Sequence, residues 1–183
     1  VVALQLARTV NQWGDPETPF CVVGMGKLGG RELNFSSDID VIFVFGEDGQ
    51  LKKKNRTRQE FFAKLGQQII NDFSAQAAEG NLFRIDLRLR PEGDSGSLAQ
   101  SFSGCENYYT AFGETWERMA MIKARVSAGD ASLGYEIARL RSDFCFSVEL
   151  TPDIIGEIAA LKARVNQEIV GAGQLENHVK LRR

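Results

Sequence analysis

Apolar and polar positions follow two different rhythms along this chain, and each change of rhythm marks an element. Phe20-Cys21-Val22-Val23 and Val41 to Phe45 are short unbroken apolar runs, the pattern of buried strands. Between them come Gly24, Gly26, Gly29 and Gly30, a short polar segment, and then Ser36-Ser37-Asp38-Ile39-Asp40. From Thr57 to Ala78 the residues Phe61, Phe62, Leu65, Ile69, Ile70 and Phe73 recur at three-to-four spacing. That spacing predicts an amphipathic helix with Thr57 as N-cap, Glu60 closing a capping box and Gly80 ending it. Leu82–Arg90 switches to period two, with Phe83, Ile85, Leu87 and Leu89 on one face and Arg84, Asp86, Arg88 and Arg90 on the other. This reads as one long strand with a charged face, followed by the glycine-rich loop from Pro91 to Ser97.

Helical patterning dominates both flanks of this region. Residues 1–12 fit the last turns of a helix that Gly14-Asp15-Pro16 breaks. Past the loop, Ser103 is expected to cap a helix through Phe112, and a second helical stretch covers Glu114–Ser127. Asp130 opens a third, to about Phe146, and Thr151-Pro152-Asp153 starts the last, to about Val170. The expected organisation is α+β, a mixed sheet flanked by helices over residues 1–128, followed by a helical segment over 129–183.

Composition narrows the picture without redirecting it. The 183 residues, 43% hydrophobic and 25% charged, suit one domain with a helical appendage. A net charge of −2 argues against a general nucleic-acid binder. The basic run Lys52-Lys53-Lys54 with Arg56 and Arg58 reads as a solvated loop. Cys21, Cys105 and Cys145 lack metal-ligand spacing and behave as small buried hydrophobes of a reducing compartment. There is no apolar run of membrane-spanning length, no signal-peptide pattern and no capping signal at either end. The chain is therefore expected to be a piece of a larger cytoplasmic protein, with no membrane or nucleic-acid partner.

The candidate chemistry lies where the acids meet the apolar run. Asp38 and Asp40 stand two apart, so on a strand they share a face with Cα atoms roughly 6.5 Å apart. Like charges so close repel unless a cation lies between them, and two divalent ions roughly 3.5–4 Å apart would use such a pair. Asp86, between arginines, is a candidate third ligand. Arg88 and Arg90 are candidate phosphate clamps with Arg84 beside them, since guanidinium matches phosphate oxygens two at a time. The rival reading of Gly24-Met25-Gly26-Lys27-Leu28-Gly29 as a dinucleotide fingerprint, with Glu47 and Asp48 as its acids, leaves Asp38 and Asp40 without a role. The segment after those glycines is also short for a crossover helix. A Walker loop fails for want of Gly-Lys-Ser/Thr. His178 is the only histidine and lies in the tail, which speaks against a Ser-His-Asp triad or a histidine metal site. Trp116 and the Tyr108-Tyr109 pair read as packing residues.

Three blocks in order, GMGKLGGRELNFSSDIDVIF, RIDLRLRPEGDSGSL and YY…TWERMAMIKAR, resemble the bifunctional glutamine synthetase adenylyltransferase/adenylyl-removing family. More broadly, Gly29-Gly30, Ser37-Asp38-Ile39-Asp40 and Asp86 resemble the DNA-polymerase-β-type nucleotidyltransferases. The resemblance implies a polymerase-β-like core and two Mg²⁺ ions held by Asp38, Asp40 and Asp86. It also implies nucleotide or phosphate contacts from Gly29 and Gly30 at a helix start, and from Ser37, Arg88 and Arg90. Lys123 and Arg125 are weaker candidates, with salt bridging on a helix surface as the alternative. Asn34-Phe35-Ser36-Ser37, the Glu92–Gly96 loop and Glu176–Leu181 look like the half that removes AMP from a tyrosine of glutamine synthetase by phosphorolysis, giving ADP. The implied partners are adenylylated glutamine synthetase, inorganic phosphate and ADP, with the PII signalling protein acting through the full-length enzyme. Adenylyl transfer from ATP and a non-catalytic regulatory module are the alternatives.

Overall fold

A computed structural model describes residues 1–34, 37–52, 55–74 and 83–170, with side chains through residue 167. The expected helix end at Gly80, the strand start at Leu82 and the tail from Gly171 lie outside the described residues.

Two antiparallel strands form the centre, β1 (Phe20–Gly24) and β2 (Ile39–Phe45), paired from Phe20 with Phe45 to Gly24 with Val41. Both are apolar at nearly every position because both faces of this sheet are covered. Phe20 and Val22 of β1 join Val41, Phe43 and Phe45 of β2 against α1 (Val2–Trp13) and α3 (Arg58–Ser74). The alternate residues Cys21, Val23, Ile42 and Val44 face the other way. They pack against α4 (Phe102–Ala111), α5 (Thr115–Met121) and α6 (Ala131–Phe146). On the first face Phe62 stacks between Phe20 and Phe45, with ring centroids 5.3 and 4.7 Å away.

The sheet is mixed. Its outer members are β3 (Ile85–Asp86) and β4 (Ala99–Ser101), both parallel to β2 and paired with its first and last residues respectively. On the far side β5 (Arg125–Gly129) runs antiparallel to β1, with a register shift between Val22 and Val23. The final helix, α7 (Pro152–Val170), begins at the expected proline and lies against α5.

Several expected starts hold. Thr57 and Glu60 form the capping box of α3, the Thr57 N–H donating to Glu60 Oε2 at 2.7 Å and the Glu60 N–H to Thr57 Oγ1 at 3.0 Å. Asp130 caps α6 through the N–H groups of Ser132 and Leu133.

Other expectations are corrected. Ser101, not Ser103, caps α4, accepting from the Gly104 N–H at 3.2 Å. The helical stretch expected over Glu114–Ser127 stops at Met121, and Arg125–Gly129 is a strand, because pairing with β1 offers that backbone a full ladder. The long charged strand shrinks to Ile85–Asp86, since the Arg88 N–H turns back to Asp86 Oδ1 at 2.9 Å and the chain folds over into a turn. The expected division at 128/129 falls inside β5, and α6 sends Leu133, Ile137 and Phe144 into the same core as β1.

Candidate active site

The three acids meet at the end of the sheet where β2 begins. Asp38 immediately precedes β2, Asp40 is its second residue, and Asp86 closes β3 as the register partner of Asp40. Backbone bonds pin this corner on both sides. The Ile39 N–H donates to the Arg84 carbonyl at 2.9 Å, and the Met25 N–H donates to the Asp40 carbonyl at 2.8 Å. Ile39 is buried in the sheet, so strand alternation turns Asp38 and Asp40 to the opposite face.

The electrostatics follow from this crowding. Burial pushes the Asp40 carboxyl above the usual carboxylate range, and the charges of Asp86 and Asp38 push the same way, against the pull of Arg88. Asp86 is held below that range, chiefly by hydrogen bonds from the Arg88 guanidinium. Asp38 takes a two-point contact from Arg84, Nε to Oδ1 at 3.0 Å and Nη2 to Oδ2 at 2.5 Å. Among the described residues no ion pair reaches Asp40. Nor do any three Asp, Glu, His or Cys side chains converge closely enough, as they stand, to hold a metal ion. The reason is visible in the pairings: Asp38 and Asp86 each turn a carboxylate to an arginine rather than to a common point. The donor set itself is all carboxylate oxygen, the chemistry that suits a hard divalent cation such as Mg²⁺.

The remaining expected site residues divide by what they touch. Arg88 is exposed and beside the acids, as is Arg84. Arg90 is folded into the following loop, donating to the Leu87 carbonyl at 2.9 Å and lying 3.6 Å from Asp94. Ser37 is buried and donates its hydroxyl to Asn34 Oδ1, which Lys27 Nζ also approaches at 3.4 Å.

The expectation that Gly29 and Gly30 open a helix is not met. The short helix α2 (Gly26–Gly29) ends there, and their N–H groups are bonded to the Met25 and Gly26 carbonyls at 2.9 and 3.0 Å. Close packing explains Gly29: a Cβ there would lie 2.1 Å from the Lys123 carbonyl oxygen and 2.5 Å from that of Gly24. Gly26 has a different constraint. Its φ of +48° favours glycine, and a Cβ would stand 2.8 Å from Asp40 Oδ2.

Neither Lys123 nor Arg125 lies on a helix: Lys123 makes a salt bridge, the alternative weighed for it, and Arg125 anchors the end of α2. Arg125, on β5, donates to the Gly29 and Leu28 carbonyls, both at 3.1 Å, which places a cation at a helix C-terminus. Lys123 pairs with Glu32 at 2.7 Å. Sequence reasoning missed Glu117. It is 4% exposed, accepts from the Tyr108 hydroxyl and from the Glu114 N–H, both at 2.9 Å, and completes the α5 capping box. The Glu114-x-x-Glu117 spacing was its available signal.

Fold and site together define an α+β domain whose mixed sheet presents three carboxylates at one corner. Residues 1–140 match the glutamate-ammonia ligase adenylyltransferase family, and the chain belongs to it. Relatives named bifunctional glutamine synthetase adenylyltransferase/adenylyl-removing enzyme occur in several bacteria. The Methylococcus capsulatus protein is 44% identical over 166 residues, covering 87% of this chain and 18% of that protein. The Thioalkalivibrio sulfidiphilus protein is 47% identical over 148 residues, 80% of this chain and 15% of the relative. The Shewanella frigidimarina protein is 44% identical over 179 residues, 97% and 19% respectively. The chain thus spans less than a fifth of the length of these relatives. Among the described residues no helix is long and apolar enough to cross a membrane.

Proposed function

We propose that this domain carries a Mg²⁺-dependent nucleotidyl-transfer site that removes AMP from the adenylylated tyrosine of glutamine synthetase by phosphorolysis, releasing ADP. The observation that carries the proposal is the side-by-side register of Asp40 and Asp86 with Asp38 at the entry to the same strand. Three carboxylates gathered without any role in the core cost stability, and a catalytic role accounts for them.

Asp38, Asp40 and Asp86 would hold two Mg²⁺ ions, which when bound supply charge neutralisation on crowded phosphate oxygens. The protein's own residues do the positioning. Arg88, on the turn after β3, carries an exposed guanidinium that bonds Asp86 in this structure and whose fork would suit the phosphoryl oxygens, geometry that a lysine cannot reproduce. Arg90 holds the 87–96 loop in shape behind it. Ser37 and Asn34 fix the chain leading into the acids. Gly26 keeps the space beside Asp40 clear.

The sequence blocks that resemble the adenylyl-removing half favour removal over transfer, and the partners in this reading are adenylylated glutamine synthetase, phosphate and ADP. The PII protein would act through the full-length polypeptide, and the setting is the cytoplasm. The test supplies AMP-tyrosyl glutamine synthetase, inorganic phosphate and Mg²⁺ and looks for ADP. Label transfer from ATP to unmodified glutamine synthetase, with no ADP in the first assay, assigns the opposite direction. Neither activity, together with glutamine synthetase binding, assigns a regulatory module.

A further inference from the structure

We propose that Arg84 is an electrostatic latch on this site: its guanidinium engages both oxygens of Asp38 and must be released before a divalent cation can bind there. The inference deepens the metal reading above and rests on it. Three observations carry it. Arg84 reaches across from the start of β3 to engage both oxygens of Asp38, 46 residues away in sequence, so the contact is not a by-product of local turn geometry. Its side chain is 78% exposed while that of Asp38 is 25% exposed, so the arginine can swing into solvent at little cost. As they stand among the described residues, Asp38, Asp40 and Asp86 do not converge closely enough to hold an ion, and Arg84 holds both oxygens of Asp38.

The neighbouring pair differs. Asp86 also accepts the Arg88 backbone N–H, which fixes its carboxylate in a turn whether or not the Arg88 side chain is present. Asp38 has no such anchor among its described contacts, so the Arg84 side chain decides which way it faces. Cation and guanidinium compete for the same two oxygens. Release of Arg84 also frees a planar fork at the rim of the site, one suited to a phosphate oxygen pair.

The test measures Mn²⁺ and Mg²⁺ binding calorimetrically on the whole chain, without substrate, for wild type, Arg84→Gln and Arg84→Lys. The lysine keeps the charge but cannot make the two-point contact. The latch predicts that both variants bind the cation about two- to fivefold tighter than wild type, the scale of an exposed ion pair. Tightening in Arg84→Gln alone marks a general field effect and overturns the latch while leaving the metal site standing. Unchanged affinity in both variants overturns it too. Absence of cation binding in wild type and both variants, with Asp40→Asn indistinguishable from them, overturns the metal reading and the latch together.

Discussion

Asp40 and Asp86 are direct partners across the parallel pairing of β2 and β3, yet their carboxyl groups are driven in opposite directions. Asp86 is relieved by Arg88, whereas Asp40 carries the cost of burial with two acids for neighbours. Asp40 is therefore the destabilising member of the set.

That cost has a sign in pH. An acid whose folded pKa lies above its unfolded value binds more protons in the native state across the intervening window. Stability attributable to Asp40 accordingly falls as pH rises from the ordinary aspartate range through the raised folded value. Asp40→Asn removes the charge at nearly constant shape. Without divalent cation the variant should match wild type near pH 3 and melt at a higher temperature at pH 7; with Mg²⁺ supplied it should lose turnover. Thermal melts at both pH values check this, and equal melting temperatures at pH 7 would count against the strained acid.

Glycine substitutions separate the site from its support. Gly26→Ala places a methyl group against Asp40 at a positive φ and should cost about 1–2 kcal/mol for the backbone alone. Its larger effect should be on cation binding, through displacement of the Asp40 carboxylate. Gly29→Ala meets two carbonyl oxygens that belong to β1 and to the segment leading into β5, neither free to move. It should cost upward of about 3 kcal/mol, the high end for overpacking. Urea denaturation and cation titration of both variants distinguish the two patterns.

Helix α4 offers a local test. Ser101 caps it and donates to Asp48 Oδ2 at 2.6 Å, whereas Ser103 is exposed in its first turn. Ser101→Ala should cost about 1–2 kcal/mol in urea denaturation, and Ser103→Ala should stay within about 0.5 kcal/mol.

What could be read from the residues follows how local its cause is. The central strands were legible because Phe20–Val23 and Val41–Phe45 are apolar on every face, and the starts of α3, α6 and α7 because Thr57, Asp130 and Pro152 act within a turn. Strand periodicity put Asp38 and Asp40 on one face, whereas the placing of Asp86 as the register partner of Asp40 depends on the pairing of β2 with β3. The brevity of β3 was hidden, since period-two patterning persists past Asp86 while its carboxylate bends the backbone away. Strand β5 was hidden for a different reason: Glu114 to Ser127 reads as continuous helix, and only β1, a hundred residues earlier, diverts its end. The use of Gly29 depends on Lys123, and the partner of Asp38 is an arginine expected to face phosphate. Contacts of that range leave no trace in local pattern.

Glu117 joins the loop after β3 to the helices behind it. The Tyr108 hydroxyl donates to Glu117 at 2.9 Å and lies near the backbone of Glu92, which sits at φ +62° at the head of the loop. Burial, followed by the bond to Glu117, raises the tyrosine pKa, so this hydroxyl stays protonated at neutral pH and the chain of bonds keeps its direction. Glu117→Gln turns one of two acceptor oxygens into a donor, opposite either the Glu114 N–H or the tyrosine. The mismatch should cost about 1–3 kcal/mol, because one buried group is left without its partner. Tyr108→Phe should cost about as much, roughly 1–3 kcal/mol, since it leaves a buried carboxylate oxygen of Glu117 without its donor. If the network steadies the loop, amide exchange at Glu92 to Ser95 should quicken in both variants while exchange in β1 and β2 changes only with global stability. Unchanged loop exchange in Glu117→Gln would confine the role of Glu117 to capping α5.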